Sequence, residues 1–386
     1  MASLAATTMP ESNRLTPPAP AAALACARDW RTFEAAEQRA QWDALAASAA
    51  EPNPFHEAWY LLPALRALDP HGSVKLLAVE QAGVLIGLLP LRHEGRYYGR
   101  PIPQLCNWIH GNCFLGAPLV ASEHRHAFWR ALLDWADRQG GRSLFLHLAQ
   151  IPLDGPLHGA LQDVLAEQGR HAALVHREDR ALLSSDLSPE AYFDASLSGK
   201  KRKELRRQAA RLAELGTLRF ERQADAADLD AWFEQFLALE HSGWKGTAGS
   251  ALASHHTTAD LFRAALTGAA AQGRLERLTL TLGEEPIAML VQFLAPPGAF
   301  SYKTAFDERF ARFSPGVLLQ RENLAILGRP GVAWCDSCAS ADHPMIDHIW
   351  RERRAIGRLS IAIGGPLRRG LFRQIARLET RRSQHP

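Results

Sequence analysis

Residues 301–344 constrain the fold more than any other stretch, because one continuous segment carries the pattern of a strand, a helix and a second strand. Aromatic and β-branched residues open the segment and are typical of a strand. The sequence Ser-Pro-Gly at residues 314–316 then predicts a helix start, since serine favours the N-cap and proline the first helical position. We expect the helix to end at Gly328 and a strand to follow over residues 331–335. Two parallel strands must flank such a helix, and its first turn presents N–H groups suited to an anion or a carbonyl oxygen.

The length and composition are those of a soluble chain with two domains. At 386 residues and 47% hydrophobic content, the chain can build two cores of about 150 residues each. No stretch approaches the roughly 18 apolar residues of a spanning helix, so we expect no stable membrane insertion. Five scattered cysteines favour reduced thiols and hence a cytoplasmic localisation. The net charge of +3 by itself indicates no nucleic-acid partner.

The second half of the chain repeats the order of elements in the first. Two hairpins with a glycine in the turn, at residues 74–91 and 275–294, are each followed later by a helix, a glycine and a strand. An α/β (α+β) fold in two tandem copies, with mixed sheets flanked by helices, accounts for this repeat. We predict a disordered leader at 1–27, a first domain at 28–185, a connector at 186–216, a second domain at 217–365 and a basic tail at 366–386.

The predicted connector contains a strongly basic helix. Leu205, Ala209 and Leu212 give it a narrow apolar stripe, and lysines and arginines cover its other faces. One interpretation is a solvated connector helix; the other is a basic wall for the phosphates of a nucleotide-containing ligand or RNA. The cations are Lys200, Lys201, Arg202, Lys203, Arg206, Arg207 and Arg211.

Three motifs resemble one known family. They are LEHSGWKGTAGSAL at residues 239–252, SYKTAFDERFARFSPGVLLQREN at 301–323 and DSCASADHPMIDHIWRERRAIG at 336–357. With the order of elements, they resemble the GNAT-type N-acyltransferases. The tandem repeat resembles the Fem-type peptidyltransferases and the CelD/BcsL acetyltransferases associated with cellulose and exopolysaccharide production. The resemblance implies two tandem GNAT-like domains, acetyl-CoA or another acyl-CoA as co-substrate, and a small-molecule or glycan-precursor acceptor.

The sequence departs from this family where the donor's pyrophosphate is expected. GNAT enzymes have a loop with two small residues before the helix, whereas residues 312–316 keep one glycine, and Pro315 has no N–H to donate. The donor therefore stays open between acyl-CoA and the aminoacyl-tRNA of Fem-type relatives, which the basic helix would suit. A non-catalytic binding protein on a degenerate GNAT scaffold is a third hypothesis.

Acyl transfer from a thioester requires a base, a polarised carbonyl group and a bound donor. As catalytic candidates we select Glu240, Tyr302 and Asp336. Tyr302 and Lys303 occupy alternate positions of the predicted strand, so one should lie in the core and the other in the cleft. The ligand-binding candidates are Trp244, Lys245, Lys303, Arg312, Ser314, Gly316 and His343.

Two further motifs are set aside. Cys335 and Cys338 have the spacing of a redox centre, but they end a strand late in a long chain. Their distance from His343 and His348 is too short for a zinc finger, so we expect no metal. In the first half, the Gly-rich stretch 107–120 could line a cleft through Trp108, His110 and Cys113.

Overall fold

The computed structural model describes residues 21–383, with side chains to residue 379. Within them, one mixed sheet of 13 strands is flanked by helices, which confirms the predicted α/β fold class. The strands are β1 (Leu24–Asp29), β2 (Lys75–Gln81), β3 (Val84–Glu94), β4 (Gln104–Asn107), β5 (Leu119–Val120), β6 (Phe145–Pro152), β7 (Ala172–Leu183), β8 (Leu218–Gln223), β9 (Leu275–Leu282), β10 (Glu285–Ala295), β11 (Gly298–Phe306), β12 (Trp334–Asp336) and β13 (Glu352–Ala362). The helices are α1 (Ala36–Ala47), α2 (Ala58–Leu68), α3 (Arg125–Gln139), α4 (Pro156–Glu167), α5 (Pro189–Ser196), α6 (Gly199–Ala213), α7 (Leu229–Ser242), α8 (Trp244–Thr247), α9 (His256–Ala271), α10 (Pro315–Asn323) and α11 (Pro366–Ser383).

The strand order is symmetric about the antiparallel pair β13 and β7. It runs β1-β2-β3-β4-β6-β13-β7-β12-β11-β10-β9-β8, and β5 pairs with β3. The parallel pairs β4·β6 and β11·β12 occupy equivalent places on the two sides. The last strands of the two halves are exchanged, because β13 pairs with β6 and β7 pairs with β12. Strands from both predicted domains therefore belong to one sheet. The domain boundaries near residues 185 and 217 remain a prediction.

Both predicted hairpins are present. The pair β2·β3 turns at Gly83 and the pair β9·β10 turns at Gly283. Both glycines have φ in the left-handed region, +79° and +63°, which a side chain would disfavour. The internal repeat seen in the sequence thus corresponds to equivalent strands in the sheet.

The predicted strand–helix–strand unit is β11, α10 and β12. The helix begins at Pro315 as expected, but its last turn, Leu324–Gly328, is a 3₁₀ helix. Ser314 precedes it in a left-handed conformation, with φ 56°, and its side chain does not cap the helix. The reason is that a 3₁₀ turn over Glu308–Phe313 ends at Ser314, so this residue closes one helix and opens the next.

Both ends of the described chain are more ordered than the sequence indicated. Most of the predicted leader, residues 1–20, lies outside the described residues. The prediction of disorder was wrong for the last part of the leader, since Leu24–Asp29 forms β1 and pairs with β2 along its full length. The predicted basic tail forms helix α11, which packs Phe372 and Ala376 against the sheet.

The core extends through both halves. Helices α2 and α9 pack together at the centre, where a Cβ on Gly268 would lie 2.9 Å from the carbonyl oxygen of Trp59. Glycine is required there because the two backbones approach so closely. None of the helices within residues 21–383 has the length and apolar character that crossing a bilayer requires.

Candidate active site

A cavity opens where β11 and β12 part. The strands are paired only from Gly298–Trp334 to Phe300–Asp336, while β11 continues to Phe306. Residues 301–306 therefore have no partner strand on that side, and a cavity of about 280 Å³ lies beside them. Its other walls come from the end of α7, from α8 and from the loop after β12. Six of the predicted ligand-binding or catalytic residues line it together: Glu240, Trp244, Lys245, Tyr302, Lys303 and His343.

A β-bulge lies in the part of β11 that borders this cavity. Val291 pairs with Lys303, and Phe293 pairs with Phe300. Between these two pairs, β10 has one residue and β11 has two, so β11 contains one extra residue. The extra residue breaks the alternation of the strand. Tyr302 and Lys303 both border the cavity. Tyr302 also belongs to the hydrophobic core, whereas Lys303 is only half-buried.

Glu240 is a buried carboxylate fixed at both oxygens. It lies near the end of α7 and is 4% exposed. Oε1 accepts a hydrogen bond from Nζ of Lys245 at 2.8 Å, and Oε2 accepts one from the backbone N–H of Leu252, also at 2.8 Å. The carboxylate thus holds α8 and the following turn at the rim of the cavity.

Lys303 lies in surroundings that favour its neutral form. Burial and, to a smaller extent, the positive charge of Lys245 lower its pKa to about 8, and the negative charge of Glu240 opposes the shift. Its Nζ lies 5.4 Å from the ring centre of Phe114 and 5.8 Å from that of Tyr302. At pH 7 a pKa near 8 leaves roughly a tenth of the amine unprotonated, which allows it to accept a proton.

Tyr302 joins the two halves at the floor of the cavity. Its hydroxyl lies 3.1 Å from the hydroxyl of Tyr60, which donates in turn to the carbonyl of Asn112. Burial raises the pKa of Tyr302, so the phenol remains protonated. Because Tyr60 gives its own proton to Asn112, the proton of Tyr302 forms the bond between the two hydroxyls, and the oxygen of Tyr302 is left to accept a hydrogen bond.

Two polar atoms at the cavity are buried without a hydrogen-bond partner, Oγ of Ser301 and Nδ1 of His343. Burial lowers the pKa of His343, and the charge of Lys245 lowers it further. The imidazole is therefore neutral near pH 7. Because unpaired buried polar atoms cost free energy, both atoms call for a polar partner, either a water molecule or a ligand.

The first half of the chain supplies the wall opposite β11. Gly111 and Phe114 line the cavity, and His110 stacks on Tyr60 with ring centres 6.2 Å apart. The sequence indicated the stretch 107–120 but selected Trp108, His110 and Cys113, not the two residues that line the cavity. Gly111 and Phe114 carry no reactive group, so nothing in the sequence marked them as site residues.

The equivalent opening in the first half is filled. Beyond the parallel pair β4·β6, the amide of Asn107 bonds to both backbone groups of Ala149, at 2.8 and 2.9 Å. It also donates to the carbonyl of Gly116 at 3.1 Å. A side chain and a loop occupy the place that is open between β11 and β12, so the two halves are not equivalent.

Asp336 lies outside the cavity in a buried ion cluster. It is fully buried, 2.6 Å from Arg180 and 2.9 Å from Arg354, and it accepts the backbone N–H of Cys338 at 2.9 Å. Burial would raise its pKa, but the two arginines lower it overall. Arg180 also donates to the carbonyl of Phe114 at 2.7 Å, so the cluster ties the first-half wall to the loop after β12.

Ser314 and Gly316 lie at the start of α10 and Arg312 lies in the 3₁₀ turn before it, all outside the lining of the cavity. A Cβ on Gly316 would lie 2.6 Å from Sδ of Met345 and 3.4 Å from the ring of Phe306, and both of these residues line the cavity. The side chain of Arg312 is exposed. The structure thus places these three residues beside the cavity and not within it.

The cysteines and histidines do not form a metal site. Cys335 and Cys338 are buried and free. Across residues 21–383, no three His, Cys, Asp or Glu side chains lie close enough to bind a metal ion together. The polar groups at the cavity are a carboxylate, amines, hydroxyls and an imidazole, which suit proton transfer and hydrogen bonding.

Comparisons with known proteins agree with this geometry. Residues 199–343 match the family model described as an acetyltransferase (GNAT) domain. No curated protein matches the chain. The matched range contains α6, β11, α10 and β12, and with them most of the residues that line the cavity.

Three solved structures share the fold across almost their whole length. A structure of FemX is 11% identical, with a TM-score of 0.54, and the match covers 88% of this chain and 98% of that one. The C-terminal domain of a putative lysylphosphatidylglycerol synthetase from Agrobacterium fabrum is 14% identical, with a TM-score of 0.52 and coverage of 89% and 96%. A conserved protein of unknown function from Bacteroides thetaiotaomicron is 10% identical, with a TM-score of 0.55 and coverage of 84% and 97%. The chain therefore has a mixed α/β fold, and residues 199–343 within it are similar to a GNAT acetyltransferase domain.

Proposed function

We propose that this protein is an acyltransferase that moves an acetyl or longer acyl group from acyl-CoA to an amine or hydroxyl. The opening between β11 and β12 is the observation that carries the proposal. It exposes an unpaired strand edge beside a buried carboxylate, an amine with a lowered pKa and two unsatisfied polar atoms. The match of residues 199–343 to a GNAT domain supports it.

The reacting end of the donor fits the cavity. Residues 301–306 of β11 have no partner strand on the cavity side, so their backbone can hydrogen-bond to the thioester carbonyl. The hydroxyl of Ser301 is a further donor at the same place. Acyl-CoA supplies the activated acyl group; the protein polarises its carbonyl and excludes water.

The phosphate end of the donor has fewer backbone partners. At the start of α10, the amides of Val317 and Leu318 bond to the carbonyl of Ser314, and Pro315 has no N–H. We therefore assign phosphate binding to cationic side chains. Arg312 is exposed at this point, and its carbonyl accepts a hydrogen bond from Gln208 of α6 at 3.1 Å, which places the basic helix alongside.

We assign the proton-accepting role to Lys303. A base works best when its pKa lies near the working pH, and burial brings Lys303 to about 8. Glu240 then fixes Lys245 through a charged hydrogen bond and balances the positive charge of the site. Glu240 remains the competing candidate from the sequence, and pH dependence distinguishes the two.

We also propose a chemical class for the acceptor. The resemblance of the motifs to CelD/BcsL proteins favours a glycan precursor or another small molecule of cellulose, exopolysaccharide or envelope metabolism, modified in the cytoplasm. A cavity of about 280 Å³ holds the reacting groups and not a whole polymer. We therefore expect an acceptor with one amine or hydroxyl on a small sugar or amino-acid unit.

One observation favours an aminoacyl-tRNA donor as the second candidate. Helix α6 has two buried leucines, Leu205 and Leu212, and its cations lie beside the start of α10. Such a face would attract the RNA backbone and make binding sensitive to salt.

The test is release of the CoA thiol from acetyl-CoA in the presence of amino sugars, amino acids and hydroxyl-bearing glycans. We expect acceptor-dependent release. Transfer from charged tRNA instead, lost when Lys200 and Lys203 are both changed to Glu, would establish the second candidate. Neither reaction, together with retained ligand binding, would indicate a non-catalytic binding protein.

A further inference from the structure

Phe114 brings an aromatic ring from the first half of the chain to the amine of Lys303. The ring centre lies 5.4 Å from Nζ of Lys303, and both residues line the cavity. Tyr302 presents a second ring, with its centre 5.8 Å from the same atom. Lys303 nevertheless stays partly exposed. The two rings therefore cover one part of its surroundings, and the other part opens to the cavity.

The ring of Phe114 is held in place by its neighbours. It packs edge-on against Tyr302 and against Phe55, with ring centres 5.8 Å apart in both cases. The carbonyl of Phe114 accepts a hydrogen bond from Arg180 at 2.7 Å. The carbonyl of the next residue accepts one from the buried amide of Asn53 at 3.2 Å. The ring consequently cannot turn away from the amine without breaking buried contacts.

Charged and titratable groups face this part of the cavity from several elements. Lys245 disfavours the charged form of the Lys303 amine and Glu240 favours it, but burial is the largest cause of its lowered pKa. The water around the amine therefore matters more to its protonation than either of these two charges. The groups are Glu240 on α7, Lys245 on α8, Tyr302 on β11, Cys338 and His343 in the loop after β12, Glu308 in the 3₁₀ turn before α10, and His110 in the first-half wall.

The ring of Phe114 acts on the amine mainly by excluding water. A cation–π attraction, which would favour the charged amine, reaches to about 6 Å from a ring centre. At 5.4 Å the amine lies near the limit of that range. Because the ring is uncharged and lies beside the amine, its larger effect is to take the place of water that would solvate the ammonium group.

We propose that Phe114 is a positioning residue that shields the amine of Lys303 from water. The ring excludes water on the side of the first half and leaves the other side of the amine open to the acceptor. The proton-accepting role of Lys303 rests on the proposed function, whereas the shielding does not. The first half of the chain thereby takes part in the reaction through a side chain that has no reactive group.

The experiment is chemical labelling of Lys303 with acetic anhydride between about pH 6 and 11, followed by mass spectrometry of its peptide. Only the neutral amine reacts, so the pH at which labelling reaches half its maximal rate measures the pKa of Lys303 without enzymatic turnover. We expect this midpoint near 8 in the wild-type protein. In Phe114→Ala water reaches the amine, and the midpoint should rise by about one pH unit or more, toward the ordinary lysine value of about 10.4.

Two further changes at the same position separate the effects of the ring. Phe114→Leu keeps an apolar cover without the aromatic face, so its midpoint should stay within about half a pH unit of the wild-type value. Phe114→Gln fills a similar volume with an amide that can solvate the ammonium group, so its midpoint should rise. The glutamine variant tests the proposal even if the alanine variant does not fold. The control is Phe220→Ala, which removes a ring that is 44% exposed on β8 and should leave the midpoint unchanged.

An unchanged or lowered midpoint in folded Phe114→Ala or Phe114→Gln would overturn the proposal. If Lys303 is the base, kcat/KM of Phe114→Ala at pH 7 should also fall about tenfold and recover at higher pH, which a merely structural role would not produce. A raised midpoint without transfer from any acyl-CoA would support the shield and refute the proposed function. Transfer from acetyl-CoA with an unchanged midpoint would support the function and refute the shield.

Discussion

At the scale of single residues, the site depends on charges held in one small volume. Lys245 bonds to Glu240 and lowers the pKa of both Lys303 and His343. The negative charge of Glu240 counteracts the effect on Lys303. A change at any one of these groups therefore alters the protonation of the others.

The pH dependence of the reaction identifies the base. If Lys303 accepts the proton, kcat/KM should rise tenfold per pH unit below about 8 and level off above it, because only the neutral amine acts as a base. Lys303→Met should remove this rise and lower kcat/KM about 100-fold. A rate that is constant from pH 6 to 9 in the wild-type protein would contradict the assignment.

Glu240→Gln tests the charge balance of the site. The amide keeps the shape but loses the charge that opposes Lys245, so the pKa of Lys303 should fall further and the rate profile should shift to lower pH. The control is Glu234→Gln on the same helix, where the carboxylate is exposed and pairs with Arg263. Loss of activity at every pH would instead identify Glu240 as the base.

Asp336 should matter for stability. Asp336→Asn leaves Arg180 and Arg354 buried without a counter-charge, and we expect the free energy of unfolding in urea to fall by about 3–5 kcal/mol. Because the folded-state pKa of Asp336 is lowered, this contribution is present above its ordinary pKa and is lost as the pH falls below it. Asp347→Asn, in the half-exposed pair with Arg353, should cost less than about 1 kcal/mol. Equal effects of the two changes would refute the role of the buried cluster.

At the scale of elements, the start of α10 sets the shape of the cavity. Gly316→Ala would push Sδ of Met345 from its place, at 2.6 Å from the new Cβ, and Met345 lines the cavity. The side chain is flexible, so we expect a small loss of stability but about tenfold weaker acyl-CoA binding by titration. The control is Gly328→Ala, at the end of the 3₁₀ turn that follows α10. No atom lies within 4 Å of its added Cβ, so this variant should bind acyl-CoA as the wild-type protein does. If Gly316→Ala bound acyl-CoA as tightly as the wild-type protein, the start of α10 would not be part of the donor site.

Local sequence patterns predicted the elements that depend on local interactions. The hairpins at Gly83 and Gly283 follow from turn preferences and the start of α10 from the preference of proline for the first helical position, and all three lie where expected. The β-bulge at Tyr302 could not be predicted, because it arises from the register with β10. The same holds for β13, whose partner strands β6 and β7 lie far away in the sequence.

At the scale of the whole molecule, the two halves share one sheet and one site. The exchange of β7 and β13 places the cluster of Arg180, Asp336 and Arg354 at the junction. Phe114 from the first half then closes a cavity whose chemical groups come from the second. Of the predicted site residues, the motifs identified those on α7, α8 and β11, where charged or aromatic side chains stand out. They missed Gly111 and Phe114, since only the tertiary fold brings these to the site.

The most direct test of the account is isothermal titration of the protein with acetyl-CoA and longer acyl-CoAs. We predict micromolar binding that is lost in Ser314→Glu, because the added carboxylate would repel the donor's phosphates beside Arg312. Ser122→Glu, at the corresponding place before α3 in the first half, should bind as the wild-type protein does. Absence of binding to any acyl-CoA, or equal loss in both variants, would contradict an acyl-CoA site between β11 and β12.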